Sequence, residues 1–202
     1  MTGFKAMRIL IAEDEPLVAE GLRARLEGLG HNVAGIAYDG SDAVAKAEAL
    51  NPELIFLDIK MPRLDGIEAA QRIMSQRPVP IILLTAHSDP ALIQRAMVAG
   101  VMGYLVKPVD RKDLVPAMAL AATRFADLMG LRKDVQSLKE ALILRQQVER
   151  AKGILAQRMG LSEARAHKRL QQLAQRERCT LGQAAARVIA ADKFFTSFEE
   201  AS

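Results

Sequence analysis

Two short apolar runs in the first sixty residues end in carboxylates. The run Leu54–Leu57 is followed by Asp58, and the run that begins after Arg8 is followed by Glu13 and Asp14. Carboxylates brought close together repel each other unless a proton or a cation bridges them. Oxygen ligands of this kind suit Mg²⁺, which takes one or two carboxylates and keeps several waters. If the two runs are neighbouring strands, the pattern predicts a magnesium site at these three acids.

Two further apolar runs end in groups that complement such a site. One ends in the hydroxyl of Thr85 and the next in the ammonium of Lys107, which Pro108 follows. Asp58 would be an in-line nucleophile for a phosphoryl group, and Lys107 and the metal would offset the charge on its oxygens. Any one of these residues alone is typical of a solvated strand end. Four compatible strand ends together predict phosphoryl transfer to Asp58, with Thr85 and Lys107 as the other catalytic residues.

Regular alternation of strand and helix patterns over the first 110 residues would position these groups. The predicted strands are Arg8–Ala12, Asn32–Ala37, Leu54–Asp58, Ile81–Thr85 and Gly103–Val106. The predicted helices between them are Pro16–Leu29, Ser41–Leu50 with Ser41 as N-cap, Gly66–Gln76 and Pro90–Ala99. This alternation predicts an α/β fold with a doubly wound, five-stranded parallel sheet. Active groups in such sheets lie at the carboxyl ends of the strands.

No strand pattern returns after Pro108. A helix is expected to begin at Asp110 or Arg111 and to run past residue 140. It carries apolar residues at alternating spacings of three and four, which is typical of a coiled-coil seam. These residues are Leu128, Leu131, Val135, Leu138 and Leu142. Packing of this helix against its own domain is the other explanation of the pattern.

Three short helical patterns fill the rest of the chain. Gly160 is expected to end the first, Ser162 to cap the second, and a capping box from Thr180 to Gln183 to open the third. Gly153 lies within the first helix at a cost of about 1 kcal/mol relative to Ala, which predicts close approach of a neighbouring helix or of a bound partner. Phe194, Phe195 and Phe198 are expected to cover the edge of a core. The predicted domains are 7–123, a helical coiled-coil-like linker at 124–144, and a small all-α three-helix domain at 145–192.

Composition narrows the classes of protein that the chain can represent. The single cysteine, Cys179, excludes an internal disulfide framework and fits a reducing cytoplasm. No uninterrupted apolar run approaches the roughly 20 residues of a membrane span, so no membrane partner is expected. Residues 1–123 carry 13 Lys and Arg against 15 Asp and Glu, whereas residues 124–202 carry 15 against 9. The basic second half indicates an anionic partner, although a solvated basic helix surface gives the same count.

Residues 7–120 resemble a response-regulator receiver domain. The resemblance rests on the acidic pair Glu13-Asp14, on Asp58 in D-x-x-M-P-x-x-D-G, on Thr85-Ala86, and on the segment Tyr104–Pro108. It implies that Asp58 accepts a phosphoryl group from the phosphohistidine of a sensor histidine kinase. Many receivers have Asp where this chain has Glu13, a departure that is not expected to prevent metal binding.

The same resemblance assigns roles to the other residues of the site. It implies that Mg²⁺ is held by Asp14, Asp58 and the backbone carbonyl of Lys60, beside Glu13. Thr85 would donate a hydrogen bond to the phosphoryl group, and Tyr104 would turn inward to report the change, so that these two residues form the switch. The Lys107–Pro108 peptide bond is expected to be cis. The receiver would accept a phosphoryl group without being an enzyme in its own right, apart from slow self-dephosphorylation.

Residues 145–192 resemble an ANTAR domain. The resemblance rests on A-K-G-I-L at 151–155, on G-x-S-E at 160–163, and on Leu181-Gly-Gln-Ala-Ala. It implies binding of paired hairpins in nascent RNA and thereby transcription antitermination. For the whole chain we expect a cytoplasmic regulator in which phosphorylation of Asp58 shifts either a monomer–dimer equilibrium, towards a homodimer, or an open–closed equilibrium. The predicted RNA contacts are Arg150, Lys152, Arg158, Arg165, Lys168 and Arg169. Two alternatives stay open, namely a DNA-binding transcriptional response regulator and a regulator that sequesters proteins.

Overall fold

The computed structural model describes residues 5–86 and 90–199 of the chain. Its strands have the bounds that the sequence predicts, namely β1 (Arg8–Ala12), β2 (Asn32–Ala37), β3 (Leu54–Asp58), β4 (Ile81–Thr85) and β5 (Gly103–Val106). They form one sheet in the order β2-β1-β3-β4-β5, and every pairing is parallel. The predicted doubly wound α/β fold is confirmed, and β1 and β3 are neighbours, as the acidic site requires.

Four helices connect these strands, namely α1 (Pro16–Glu27), α2 (Gly40–Leu50), α3 (Gly66–Gln76) and α4 (Pro90–Val98). Their ends differ from the predicted ends by at most two residues. The predicted N-cap of α2 is wrong, because Asp39 rather than Ser41 caps this helix. The buried Asp39 carboxylate accepts hydrogen bonds from the backbone N–H groups of Ser41 and Asp42, at 2.8 and 2.9 Å. A carboxylate at this position also interacts favourably with the helix dipole.

Burial of the central strands explains why the sheet presents its polar groups at one edge. All five residues of β3 and of β4 are buried, as expected for parallel strands that are covered on both faces. Asp58 and Thr85 are the last residues of these strands, so their side chains stop where the apolar core stops. The edge strand β5 alternates between partly buried and exposed residues. Lys107 follows β5 directly and therefore lies at the same edge.

The helix α5 (Arg111–Met159) is 49 residues long, and the chain divides into two compact units between Met129 and Gly130. In the first unit, Leu114, Met118 and Ala121 of α5 are buried in the core of the sheet domain. Among the described helices, α5 is the one whose length and composition would suffice to cross a membrane. Leu114, Met118 and Ala121 form the part of α5 that packs against the sheet domain.

Residues 130–146 of α5 are all exposed. The exposed fractions of the predicted seam residues Leu131, Val135, Leu138 and Leu142 are 64%, 51%, 70% and 56%. Leu128 differs, because it packs against the core of the first unit. Packing against the chain's own domains therefore does not explain the seam from residue 131 onward.

The second unit consists of the end of α5 with α6 (Glu163–Arg176) and α7 (Leu181–Glu199). Its core contains Val148, Ala151, Leu170, Ala174, Ala184 and Ala185. Gly160 ends α5 with a φ of +62°, and the N–H of Leu161 donates to the carbonyl of Ala156 at 3.0 Å, as in a Schellman turn. The three predicted helices are confirmed.

The start of α7 is the predicted capping box. The N–H of Thr180 donates to Gln183 Oε1 at 2.9 Å, and the N–H of Gln183 donates to Thr180 Oγ1 at 3.2 Å. Further along α7, Phe194 is 61% exposed, so it does not cover the core edge as expected. The side chains of Phe195 and Phe198 lie outside the described residues. Among the described residues outside its own turn of helix, no atom lies within 4 Å of the position of a Cβ on Gly153. The expectation that a neighbouring helix approaches Gly153 is therefore wrong, and close approach of RNA stays a prediction.

A buried histidine makes the stability of the first unit depend on pH. His31 Nδ1 accepts a hydrogen bond from the N–H of Met7 at 3.3 Å, and burial lowers the pKa of His31 below its ordinary value of 6.5. A lowered pKa means that its contribution is present above pH 6.5 and is lost as pH falls through the pKa of the folded state. We expect the contribution of His31 to the free energy of unfolding to fall from pH 7 to pH 5, by up to about 1.4 kcal/mol per pH unit for one proton.

Urea denaturation at several pH values measures this dependence. The matched variant His31→Gln keeps an acceptor for the Met7 N–H but does not titrate. The unfolding free energy of the parent chain minus that of the variant should therefore fall as pH falls. A difference that stays constant over the range would contradict the assignment to His31.

Candidate functional site

Lys107 joins two carboxylates at the carboxyl edge of the sheet. Its Nζ lies 2.7 Å from Asp58 Oδ2, to which it donates a hydrogen bond, and 2.6 Å from Glu13 Oε2. One carboxylate oxygen from each of Glu13, Asp14 and Asp58 lies within 4.8 Å of the others. The parallel register produces this convergence, since Ala12, the last residue of β1, pairs with Leu57, and Glu13 and Asp58 are the next residues of the two segments. The structure thus brings together the predicted acids and the predicted amine.

Burial and charge oppose each other in this cluster. Glu13 is fully buried, and Asp58 is buried except for about 6% of its surface. Burial raises the pKa of Glu13, and the close contact and charge of Lys107 only partly offset that rise, while the charge of Asp58 adds to it. Burial would lower the pKa of Lys107, but its hydrogen bond to Asp58 and its ion pair with Glu13 outweigh burial and raise it. One ammonium therefore compensates the buried acids incompletely.

This incomplete compensation fits a divalent cation. Glu13 Oε2 is a buried oxygen without a hydrogen-bond partner of suitable geometry among the described residues, although it is ion-paired with Lys107. Asp14 is exposed beside it, so that a cation could reach the cluster from solvent. The donors are all oxygens, which is the set that Mg²⁺ prefers. Glu13, Asp14 and Asp58 each contribute a carboxylate oxygen to this cluster and could hold the cation there, and Lys60 lines the adjoining cleft.

The remaining predicted site residues surround the same cleft, which has a volume of about 390 Å³. Asp14, Asp58, Lys60, Thr85 and Lys107 all line it. The N–H of Lys60 lies 3.4 Å from Asp58 Oδ1, and Thr85 is buried at the end of β4. The Lys107–Pro108 peptide bond is cis, as expected. Tyr104 differs, because its side chain is 44% exposed and does not line the cleft. It therefore does not occupy the inward position that the resemblance implies for the switched state.

The loop that follows Asp58 is held from two sides by contacts that the sequence analysis did not predict. Arg63, which has a φ of +67°, forms an ion pair with the buried cap Asp39. Asp65 caps α3 by accepting from the N–H of Glu68 at 2.8 Å, and it forms an ion pair with Arg95 of α4 at 3.0 Å. These contacts connect the loop to α2 and α4. Asp39 could have been found from the sequence, because it directly precedes the helical pattern at Gly40-Ser41.

Gly66 allows this loop to lie against the strand that carries Asp58. A Cβ at Gly66 would lie 1.9 Å from the carbonyl oxygen of Asp58, which is backbone and cannot move aside alone. We expect Gly66→Ala to lower the free energy of unfolding by about 1–3 kcal/mol, as overpacking does, and to weaken Mg²⁺ binding. The measurement is urea denaturation with and without Mg²⁺.

Gly130→Ala is the matched control for this substitution. Nothing lies within 4 Å of a Cβ at Gly130, and the position is an exposed part of α5. The same chemical change should there raise stability by up to about 1 kcal/mol. Equal stability of Gly66→Ala and the parent chain would show that the close approach to Asp58 is not required.

The six basic residues predicted to contact RNA differ in their exposure and in their ion pairs within the second unit. Lys152 Nζ contacts both carboxylate oxygens of Glu149 at 3.0 and 2.8 Å and is largely buried. This hydrogen bond lowers the pKa of Glu149. Arg158 forms an ion pair with Asp192 at 2.9 Å, and Arg150 is exposed on α5.

The other three predicted contacts lie together on α6. Arg165, Lys168 and Arg169 line one groove with Met159 and Leu161. Arg176, which the sequence analysis did not select, lines its continuation. Its spacing of seven residues from Arg169 places it on the same helix face and could have revealed it. The structure thus groups part of the predicted set around a groove.

Family comparisons agree with both parts of the chain. Residues 9–119 match the response regulator receiver domain, and residues 136–189 match the ANTAR domain. The transcriptional regulatory protein PdtaR of Mycobacterium tuberculosis is 46% identical over 174 residues, which cover 86% of this chain and 85% of that protein. The uncharacterized transcriptional regulatory protein YxjL of Bacillus subtilis is 38% identical over 118 residues, covering 57% of this chain and 54% of that protein.

Solved receiver domains match the first unit. The signal receiver domain of a modulated diguanylate cyclase from Desulfovibrio desulfuricans has a TM-score of 0.57 and 36% identity, covering 60% of this chain and 98% of that one. The receiver domain of the putative response regulator NarL from Mycobacterium tuberculosis has a TM-score of 0.56 and 33% identity, covering 59% and 98%. Both agree with the flavodoxin-like arrangement of the sheet.

Proposed function

The chain belongs to the response-regulator family, with an N-terminal receiver domain and a C-terminal ANTAR domain, and from this we propose that phosphorylation of Asp58 controls transcription antitermination through RNA binding. The phosphodonor is a sensor histidine kinase, and the RNA ligand is a pair of hairpins in a nascent transcript. The observation that carries the proposal is the acid cluster bridged by Lys107 in the same chain as a basic ANTAR domain. A cytoplasmic location is part of the proposal.

The residues that line the cleft support transfer of a phosphoryl group to a carboxylate. A carboxylate oxygen of Asp58 attacks the phosphorus of phosphohistidine, a P–O bond forms, the P–N bond breaks, and the histidine nitrogen keeps the electron pair and takes up a proton. Bound Mg²⁺ would supply positive charge beside the transferring group. Lys107 Nζ, 2.7 Å from Asp58, is placed to pair with a phosphoryl oxygen, and the Thr85 hydroxyl to donate to another. The receiver acts here as an acceptor rather than as an enzyme with a substrate of its own.

Charge in the second unit supports an RNA ligand. Residues 145–187 carry ten Lys and Arg but three acids, a balance that favours a polyphosphate through release of counterions. Aromatic side chains for stacking are scarce, since the described second unit has none before Phe194. Recognition of hairpin loops then depends on guanidinium planes and on contacts to phosphates. Arg165, Lys168 and Arg169 are the predicted contacts that the groove on α6 supports best.

The exposed seam on α5 supports a parallel homodimer. Leu131 and Leu138 occupy d positions of the heptad, and Val135 and Leu142 occupy a positions. In a parallel pair, Asp134 at g faces Lys139 at e of the other helix, and both residues are exposed in the single chain. Two copies joined in this way present two ANTAR domains to two hairpins, which raises affinity through effective concentration.

A phosphoryl mimic tests the coupling between the two domains. Beryllofluoride with Mg²⁺ should tighten binding of the full chain to RNA with two hairpins by at least about tenfold, since phosphorylation must shift the switch by at least about 1.4 kcal/mol to matter. Fluorescence anisotropy at stated salt measures the affinity, and light scattering measures the oligomeric state. Unchanged affinity together with an unchanged oligomeric state would refute the switch.

The same assay separates the alternatives. A DNA-binding regulator would bind double-stranded DNA in preference to hairpin RNA at equal salt. A regulator that sequesters proteins would bind neither, and its interactions would depend little on salt. Tight hairpin binding that weakens steeply with salt is the outcome that the proposal requires.

A further inference from the structure

A groove between the end of α5 and α6 combines an apolar floor with a cationic rim. Its floor is formed by Leu155, Met159, Leu161 and Leu173, and its two connected parts have volumes of about 210 and 280 Å³. Met159, Arg169 and Gln172 line both parts, so the groove is continuous along α6. Met159 is 50% exposed, whereas Ala151 of the same helix and Leu170 of α6 are fully buried. The Met159 side chain is therefore accessible to a ligand in the groove.

The rim carries charges that the domain itself does not neutralise. Arg165, Lys168, Arg169 and Arg176 recur at helical spacing on one face of α6. None of these four makes an ion pair within the part of the chain that the structure describes. The opposite face of α6 holds the buried Ala166, Leu170 and Ala174, so the cationic face is free of any role in the core. A ligand with regularly spaced negative charges complements it.

We propose that this groove is a subsite for one unpaired base of an RNA hairpin loop, which lies on Met159 beneath the guanidinium of Arg169 while the rim grips the flanking phosphates. The inference rests on the proposed function, and it adds where the loop binds and by what chemistry. An unstacked base has a flat apolar face and needs apolar or planar cationic contacts on both sides. Met159 and Arg169 supply those two surfaces in a domain that lacks an aromatic platform. Gln172, which lines both parts of the groove with them, carries donors and acceptors for the edge of the base.

The charge pattern favours RNA over an acidic peptide. Flexible acidic side chains would pair with the basic residues of the rim and would make no contact with the apolar floor. A nucleotide presents its apolar face and its charge together, with a spacing fixed by covalent bonds. The polarizable thioether of Met159 adapts to a flat surface better than a branched side chain does.

A cycle between protein and RNA variants tests the subsite. A hairpin is first selected from a pool with randomised loops by binding to the full chain, and is then remade with one abasic nucleotide at each loop position. Met159→Gln should weaken binding of the intact hairpin roughly tenfold, because stacking on a single base carries an effect of that order. At one loop position the abasic hairpin should bind the parent and the variant equally, because the base that Met159 contacts is already absent.

Lys168→Gln tests the rim independently. It should weaken all the hairpins by a similar factor and reduce the slope of log affinity against log salt by about 0.7–0.9. Lys193→Gln, an exposed cation of α7 outside the groove, is the matched control and should leave the slope unchanged. Thermal unfolding of each variant confirms the fold, which is not at risk because Met159 and Lys168 are exposed.

The outcomes distinguish this inference from the proposed function. Additive effects of Met159→Gln and every abasic position would overturn the base subsite, while tight binding of the intact hairpin would leave the RNA-binding proposal standing. If neither groove variant changed the affinity for the hairpin, the groove would belong to another ligand, such as an acidic protein segment, and the inference would fail. If the parent chain selected no hairpin, the proposed function itself would fail.

Discussion

Asp58→Asn is expected to abolish transfer of a phosphoryl group to the chain, whereas the parent chain gains one group from acetyl phosphate in the presence of Mg²⁺. The asparagine amide is nearly the same size as the carboxylate but lacks its nucleophilic oxygen. Intact mass spectrometry of both chains after incubation measures the transfer directly. The adduct of the parent chain should also be lost at alkaline pH, as an acyl phosphate is.

The fold of this variant should survive, because the charge of Asp58 disfavours the ionised form of the buried Glu13 beside it. The charge of Asp58 contributes to the raised pKa of Glu13. Because the pKa of Glu13 is raised, Glu13 contributes fully to stability below pH 4.5, its ordinary pKa. That contribution is lost as pH rises through the pKa of the folded state. Removal of the Asp58 charge lessens that loss at neutral pH, although it also removes the contact with Lys107. Urea denaturation at pH 7 should therefore show little loss of stability.

Asp65→Asn is the matched control for the transfer reaction. Asp65 belongs to the same loop, but its carboxylate caps α3 and contacts Arg95 rather than Lys107. Asparagine also caps helices well, so this variant should still gain the phosphoryl group. If Asp58→Asn were phosphorylated as fully as the parent chain, the acceptor would be another carboxylate, with the exposed Asp14 as the first candidate.

The sheet and the site could be predicted from the sequence because each buried apolar strand gives way to a polar residue where the sheet ends. In β3 and β4, uninterrupted apolar runs mark strands covered on both faces, and the first polar residue marks the edge of the sheet. That rule places Asp58 and Thr85 without any knowledge of the contacts between them. The order of the strands then determines which edges meet, and the position of β1 beside β3 brings Glu13 to Asp58.

Contacts that depend on tertiary packing could not be predicted in this way. Asp39 and Ser41 are both favourable N-caps, and the choice between them depends on packing at Gly40. A Cβ at Gly40 would lie 2.2 Å from the carbonyl oxygen of Leu64, which fixes the start of α2 against a loop more than twenty residues away. The pairing of Arg158 with Asp192 spans 34 residues and leaves no local pattern. Basic residues that look equivalent in the sequence therefore differ in whether they are free to bind RNA.

The double substitution Leu131→Glu with Leu138→Glu is expected to make the chain monomeric in the presence of beryllofluoride and Mg²⁺. Both residues occupy d positions, where each carboxylate would face its own copy across a parallel pair and would be buried beside a like charge. In the single chain their side chains are 64% and 70% exposed, so neither substitution removes a contact of the folded monomer. Light scattering measures the oligomeric state. Lys133→Glu lies at an outer f position and also changes the net charge by two, so it should leave the dimer intact.

Binding to RNA with one and with two hairpins separates the role of the seam from that of the RNA contacts. If the seam links two ANTAR domains, the double variant should lose about 100-fold in affinity for two hairpins and almost nothing for one. A direct contact between the seam and RNA would instead weaken both to a similar extent. A dimer that persists in the double variant would exclude the seam as the contact between copies. Phosphorylation of Asp58 would then have to reach the ANTAR domain through another surface, because residues 130–146 are exposed and the predicted seam is the apolar surface that they present.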